Sequence, residues 1–234
     1  MNTNRKIAIA VGVLYILATA APIMTAPFLG FLGGGIIGEA IPGYLAQLSA
    51  AETQVDIGVL IELVWALAVI GIPIALFPIL KRYNEAVALG FFSLRFVEGI
   101  STVVGSVVLM TLLTVSQGFA KAGAADASHY QVLGAALLAT RNWTFLIGSG
   151  IFFSLSALVL NSALYHSRFI PRWLSGWGLA GAILMFVSYL LQLFGVSLDV
   201  LFVPIAVQEM AFAVWLIVKG FNPSTNASPS AKTR

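Results

Sequence analysis

Two ionisable residues, Arg95 and Glu98, stand inside the apolar run from Ala86 to Leu113. Three residues apart, they share one face of a helix. Two further acids, Glu62 and Glu209, interrupt other apolar runs. Ionised groups at bilayer depth cost about 2.5–3.5 kcal/mol each on insertion scales. A chain that keeps them there must supply partners, water or a task. Buried carboxylates can carry protons, and a polar cluster between helices can bind a small solute or a lipid headgroup. At 1.5 Å per residue, Arg95 lies about 13 Å and Glu98 about 18 Å into their run. Glu209 lies about 15 Å into its own by the same rise. These three can share a central layer in which Arg95 bridges the two acids. Glu62, about 8–9 Å from the other end of its run, is expected to face an outer cavity. The alternative is structural: Arg95 and the acids form a neutralised clamp that fixes helix packing. Sequence leaves both readings open.

No catalytic set accompanies these residues. His-Glu-x-x-His, paired aspartates at metal spacing and Gly-x-Ser-x-Gly are all missing. Two histidines and no cysteine leave no material for a multi-histidine or thiolate metal centre, and no cofactor is implied. His166, in Tyr-His-Ser-Arg-Phe-Ile-Pro-Arg, reads as a solvated loop residue, since a catalytic base needs an oriented partner. Arg168 and Arg172 beside it suit anionic lipid at a membrane surface.

The elements that must hold the charged residues follow from composition. Apolar residues make up 59% of the 234 and charged ones 9%, against about 25% charged in soluble domains. So few charges cannot cover a water-facing surface. The expected fold is all-α, a bundle of six transmembrane helices near 7–29, 55–80, 86–115, 142–164, 173–195 and 199–219. Nine of the twelve basic residues fall on one side: Arg5, Lys6, Lys81, Arg82, Arg168, Arg172, Lys219, Lys232 and Arg234. Lys121 and Arg141 fall on the other. The positive-inside rule then places both termini in the cytoplasm of an inner-membrane protein. Tyr83, Tyr165, Trp173, Trp177 and Trp215 near the cytoplasmic ends, with Trp143 near an outer end, form the matching aromatic belts. A net charge of +3 is weak for nucleic-acid binding. The expected partners are membrane lipid and a small solute or proton.

Several segments frame this bundle. Arg5-Lys6 followed by an apolar stretch and Ala18-Thr19-Ala20 resembles a cleavable signal, but the apolar stretch runs on to Leu32 and favours a retained span. The glycine-rich stretch 28–43 lacks the Gly-Lys-Ser/Thr of a phosphate loop. It is expected to pack over helix ends rather than form a re-entrant loop. Residues 117–141 are expected to be an outer connection with a short interfacial helix, and 222–234 a disordered tail. In the fourth span, Asn142, Ser149 and Ser156 recur every seven residues and suit interhelical hydrogen bonding, as do Ser154 and Asn161 on another face. Gln192 and Gln208 fit binding or packing equally. Pro73, Pro78 and Pro204 interrupt spans, kinking them or freeing carbonyls. No internal repeat of the transporter kind is visible.

Three stretches carry a family resemblance. They are Arg5-Lys-Ile-Ala-Ile-Ala-Val-Gly-Val-Leu-Tyr-Ile-Leu, Leu164-Tyr-His-Ser-Arg-Phe-Ile-Pro-Arg-Trp-Leu-Ser-Gly-Trp-Gly-Leu-Ala-Gly and Glu209-Met-Ala-Phe-Ala-Val-Trp-Leu-Ile-Val-Lys-Gly. Phe91-Phe-Ser-Leu-Arg-Phe-Val-Glu adds an Arg-x-x-Glu element. Over residues 5–221 the chain resembles bacterial membrane proteins that carry domain of unknown function 4386. The resemblance implies six spans and marks Arg95, Glu98, Arg168, Pro171, Arg172 and Glu209 as matching the family pattern. It implies no activity.

Overall fold

The computed structural model describes residues 2–32, 43–121 and 127–222, and every regular element among them is helical. The order is α1 (Thr3–Leu29), α2 (Tyr44–Ala50), α3 (Glu52–Tyr83), α4 (Glu85–Lys121), α5 (Ala127–Trp143), α6 (Phe152–Ser167), α7 (Arg172–Gln192) and α8 (Val203–Val218). A π-helical stretch, Thr144–Ile151, joins α5 to α6 without a break, and a 3-10 turn, Asp199–Phe202, leads into α8. Six stretches are long and apolar enough to cross a membrane: α1, α3, α4, the continuous Ala127–Ser167, α7 and Asp199–Val218. The protein is an all-α bundle of six transmembrane helices.

Apolar side chains on the outside of the bundle fit a lipid solvent. Leu60, Leu67 and Ile74 recur every seven residues along α3 and are exposed, Leu67 by 71%. That stripe would be an aggregation hazard in water and is the ordinary face of a spanning helix.

Around the bundle α1 packs on α3, α3 on α4, α4 on α5 and α6, α6 on α7, α7 on α8, and α8 back on α1. The ring closes at its N- and C-terminal helices. There the Arg5 guanidinium donates to the last carbonyls of α8, Leu216 at 3.2 Å, Ile217 and Val218. These carbonyls have no partner within the helix, and a basic side chain satisfies them. Both ends of the described chain therefore lie on one side of the bundle, called here the terminal side. On that half the interior is mostly an apolar plug, with Tyr15, Ile72, Phe91, Leu160, Leu174 and Phe212 supplied by six different helices. On the far half a second cluster packs α2, through Leu45 and Leu48, against Leu29, Val55, Leu109 and Leu138.

Some boundaries differ from those expected. The fourth spanning helix begins at Ala127, not near 142, and α4 runs on to Lys121. The expected outer connection of 117–141 is thus mostly the ends of two long helices. Ala127–Trp143 carries Ser, His, Gln, Thr, Arg and Asn, so its hydropathy falls although Gly134, Leu138 and Arg141 are buried. Pro204 does not interrupt its span; it sits in the first turn of α8, where its missing N–H is no loss. Pro73 and Pro78 do lie inside α3. Thr19, within the signal-like motif, belongs to the packed length of α1. The glycine-rich expectation for 33–42 and that for the tail from 223 onward lie outside the described residues.

Candidate functional site

One face of α4 supplies much of the site. Arg95, Glu98, Thr102 and Ser106 follow at helical steps, and all are buried. Arg95 Nη1 donates to both oxygens of Glu98, at 3.2 and 3.1 Å. Its Nη2 reaches Glu209 Oε1 of α8 and the hydroxyl of Tyr15 of α1, each at 3.4 Å. The guanidinium also lies 4.8 Å from the ring centre of Phe153, a cation–π distance. Glu209 receives a second hydrogen bond, from Thr19 Oγ1 at 2.9 Å. A single arginine thus ties α1, α4, α6 and α8 at the depth where the apolar plug ends. The central layer expected of Arg95, Glu98 and Glu209 is present.

Glu62 does not join that layer. It pairs with Arg141 of α5, which holds both of its carboxylate oxygens. Ser106 Oγ donates to Glu62 Oε2 at 2.7 Å. Arg141 Nη1 also donates to the carbonyl of Gly105 at 2.7 Å, and its guanidinium sits 4.7 Å from the centre of the Phe145 ring. Gly105 makes this approach feasible, since a Cβ there would meet Phe145 at 2.6 Å. Phe145 in turn stacks on Trp65 of α3, 5.9 Å between centres and 7° apart in plane.

Both ion-pair groups border one cavity of about 640 Å³. Its walls come from the far halves of α1, α3, α7 and α8, the inner end of α5 and the start of α6, with Arg95 and Glu98 of α4 beside them, and Trp65, Phe153, Tyr189 and Phe202 give it an aromatic lining. The size falls within the range of about 300–1,000 Å³ typical of small-molecule sites. The π-helical stretch contributes Phe145 and Ser149. Such wide turns are rare and recur at functional sites. The stretch also upsets the seven-residue spacing read along this span. Asn142 and Ser149 line the cavity, while Ser156 returns its hydroxyl to Phe153 O at 2.7 Å. Ser149 and Thr102 hydrogen-bond across helices at 3.2 Å. Asn161 and Gln208 do so at 3.5 Å, deeper on the terminal side.

Residues 10–220, which hold the whole of this site, match the model of a family described as a domain of unknown function, DUF4386. The chain belongs to that family. No curated protein and no solved structure matches it. The DUF4386 match thus shows the family and brings no activity with it.

The remaining sequence candidates stand apart from the cavity. Arg168 and Arg172 are exposed on the terminal side. Arg168 closes α6 in the left-handed region, φ 57°, and its carbonyl accepts from Asn222. The Arg172 guanidinium lies over the Tyr165 ring. His166 is exposed, its Nδ1 2.8 Å from Ser162 O. Gln192 donates to Asp199, and Gln208 to Leu174 O.

Sequence reasoning missed Arg141, which was counted as an outer-loop charge, and also Tyr15, Thr19, Thr102 and Ser106. The polar stripe of α4 was legible in its spacing. Arg141 offered only an arginine hard against the apolar Trp143–Ile147.

Proposed function

We propose that this DUF4386 protein binds a small molecule inside the membrane, in the cavity bounded by Glu98, Glu209 and the Glu62–Arg141 pair. The observation that carries this reading is the cavity itself. A clamp that served packing alone would be closed over by side chains, because protein interiors leave few voids larger than a water molecule. Here two charged groups that cost free energy to bury face about 640 Å³ of space. The apolar plug on the terminal side and the lack of a visible repeat support binding rather than alternating access.

The packing alternative draws on the direct ion pairs of Arg95. Photolabelling with a small neutral probe, trifluoromethylphenyl diazirine, separates the two. Under the binding reading, label reaches the cavity-lining Trp65 and Phe153 and is lost in Ala206→Trp, which fills the cavity wall. Label confined to lipid-facing residues such as Leu60 and Leu67 would reject it.

The orientation is part of the same proposal. With Arg141 buried against Glu62, Lys121 is the one other basic residue among the described residues that the sequence counts to the far side. The stronger asymmetry supports a reading with the termini in the cytoplasm of an inner-membrane protein. On that side Arg168 and Arg172 would meet anionic headgroups. A reporter fused after Asn222 is expected to be active in the cytoplasm, and periplasmic activity would reverse the orientation.

A further inference from the structure

Charges around the cavity do not balance. Among the described residues its lining holds three carboxylates, Glu62, Glu98 and Glu209, and two guanidiniums, Arg95 and Arg141. Arg141 is committed to Glu62. Arg95 must serve both Glu98 and Glu209, and it serves Glu98 better: two contacts at 3.1 and 3.2 Å against one at 3.4 Å. The surplus negative charge therefore falls on Glu209. Its side chain is also the more open of the two, 11% exposed against 2%.

Among the described residues, the groups facing Glu209 supply no further cation. From α1 come the hydroxyls of Tyr15 and Thr19, and from α4 Arg95 and Glu98, while Tyr189 of α7 lines the same cavity. Across the cavity stand Glu62 of α3 and Arg141 of α5, already paired. An uncompensated charge at this depth is costly, so neutrality requires either a proton on Glu209 or a cation from outside the chain. Apart from Thr25, Asn142 and Ser149, the rest of the lining is apolar or aromatic. Ile23 lines the cavity and is also 70% exposed, so the wall opens beside α1 onto the lipid-facing surface.

Building on the binding reading above, we propose that the cavity takes a lipophilic organic cation, whose charge lies against the Glu209 carboxylate and which binds in place of a proton. The exchange is balanced: the cation enters, the carboxyl gives up its proton to water, and net charge in the cavity is unchanged. An aromatic lining suits such a guest, because ring faces attract cations. A surplus carboxylate repels anionic headgroups.

The test uses full-length protein in phosphatidylcholine nanodiscs, with empty discs subtracted. Tetraphenylphosphonium and tetraphenylborate have nearly the same size and opposite charge, and neither titrates. The phosphonium should bind at least tenfold more tightly than the borate. It should bind more tightly at pH 8 than at pH 6, with proton release measurable in weak buffer. Glu209→Gln keeps the shape and should lower phosphonium affinity at least tenfold and abolish the pH dependence. Equal affinity for the two ions, or phosphonium binding unchanged between the two pH values, overturns the proposal, and neither comparison depends on a variant. If the neutral diazirine still labels Trp65 and Phe153 in that case, the binding reading survives and only the cation is rejected. If it does not, both fall.

Discussion

Arg141→Met is expected to destabilise the protein by about 3–5 kcal/mol, the usual cost of stripping one partner from a buried ion pair. Glu62 is 3% exposed, and its carboxylate is held by Arg141 and Ser106. Without the guanidinium, Glu62 must stay charged in a low dielectric or take up a proton. The Gly105 carbonyl loses its donor as well. Replacing the pair together, Glu62→Leu with Arg141→Met, removes the stranded charge and should recover most of the loss. Thermal unfolding of the three proteins in one detergent measures this. A single variant as stable as wild type would mean that the pair contributes nothing to holding α5 against α3 and α4.

Arg95→Met should cost at least as much, because it strands two carboxylates, Glu98 and Glu209, and frees the Tyr15 hydroxyl. The informative comparison is again with complete removal. Arg95→Met, Glu98→Leu and Glu209→Leu together should unfold within about 1 kcal/mol of wild type or above it, since apolar replacements of buried ion pairs are often neutral or stabilising. A triple variant less stable than Arg95→Met would show that the charges hold the helices together in a way apolar packing cannot replace.

The contrast between these two clusters also shows what the sequence made visible. Arg95, Glu98 and Glu209 could be placed at one depth because each lies mid-run, where the rise of a helix fixes depth even when its ends are uncertain. Arg141 could not. It sits in a helix whose outer half is too polar to register as a span, so it looked like a loop charge. Only the pairing of α5 with α4 brings it to Glu62. A cavity beside Glu62 was expected, but its extent down to Arg95, Glu98 and Glu209 was not, because empty space arises from how helices splay and no residue encodes it. The π-helical stretch adds to this: Asn142 and Ser149 reach the cavity through a wider turn that a 3.6-residue period does not anticipate. Six spans, by contrast, follow from hydropathy alone, since lipid leaves the backbone few alternatives to the helix.

The central claim is that Arg95, Glu98 and Glu209 face the cavity to hold a ligand rather than to hold the helices. Mass spectrometry of small molecules retained by the wild type and by the triple variant, both extracted in polymer nanodiscs without detergent, tests it most directly. The account predicts at least one small molecule bound near stoichiometrically to the wild type and lost from an equally stable triple variant. Identical small-molecule content in two equally stable proteins would contradict it and leave the charges as a packing device.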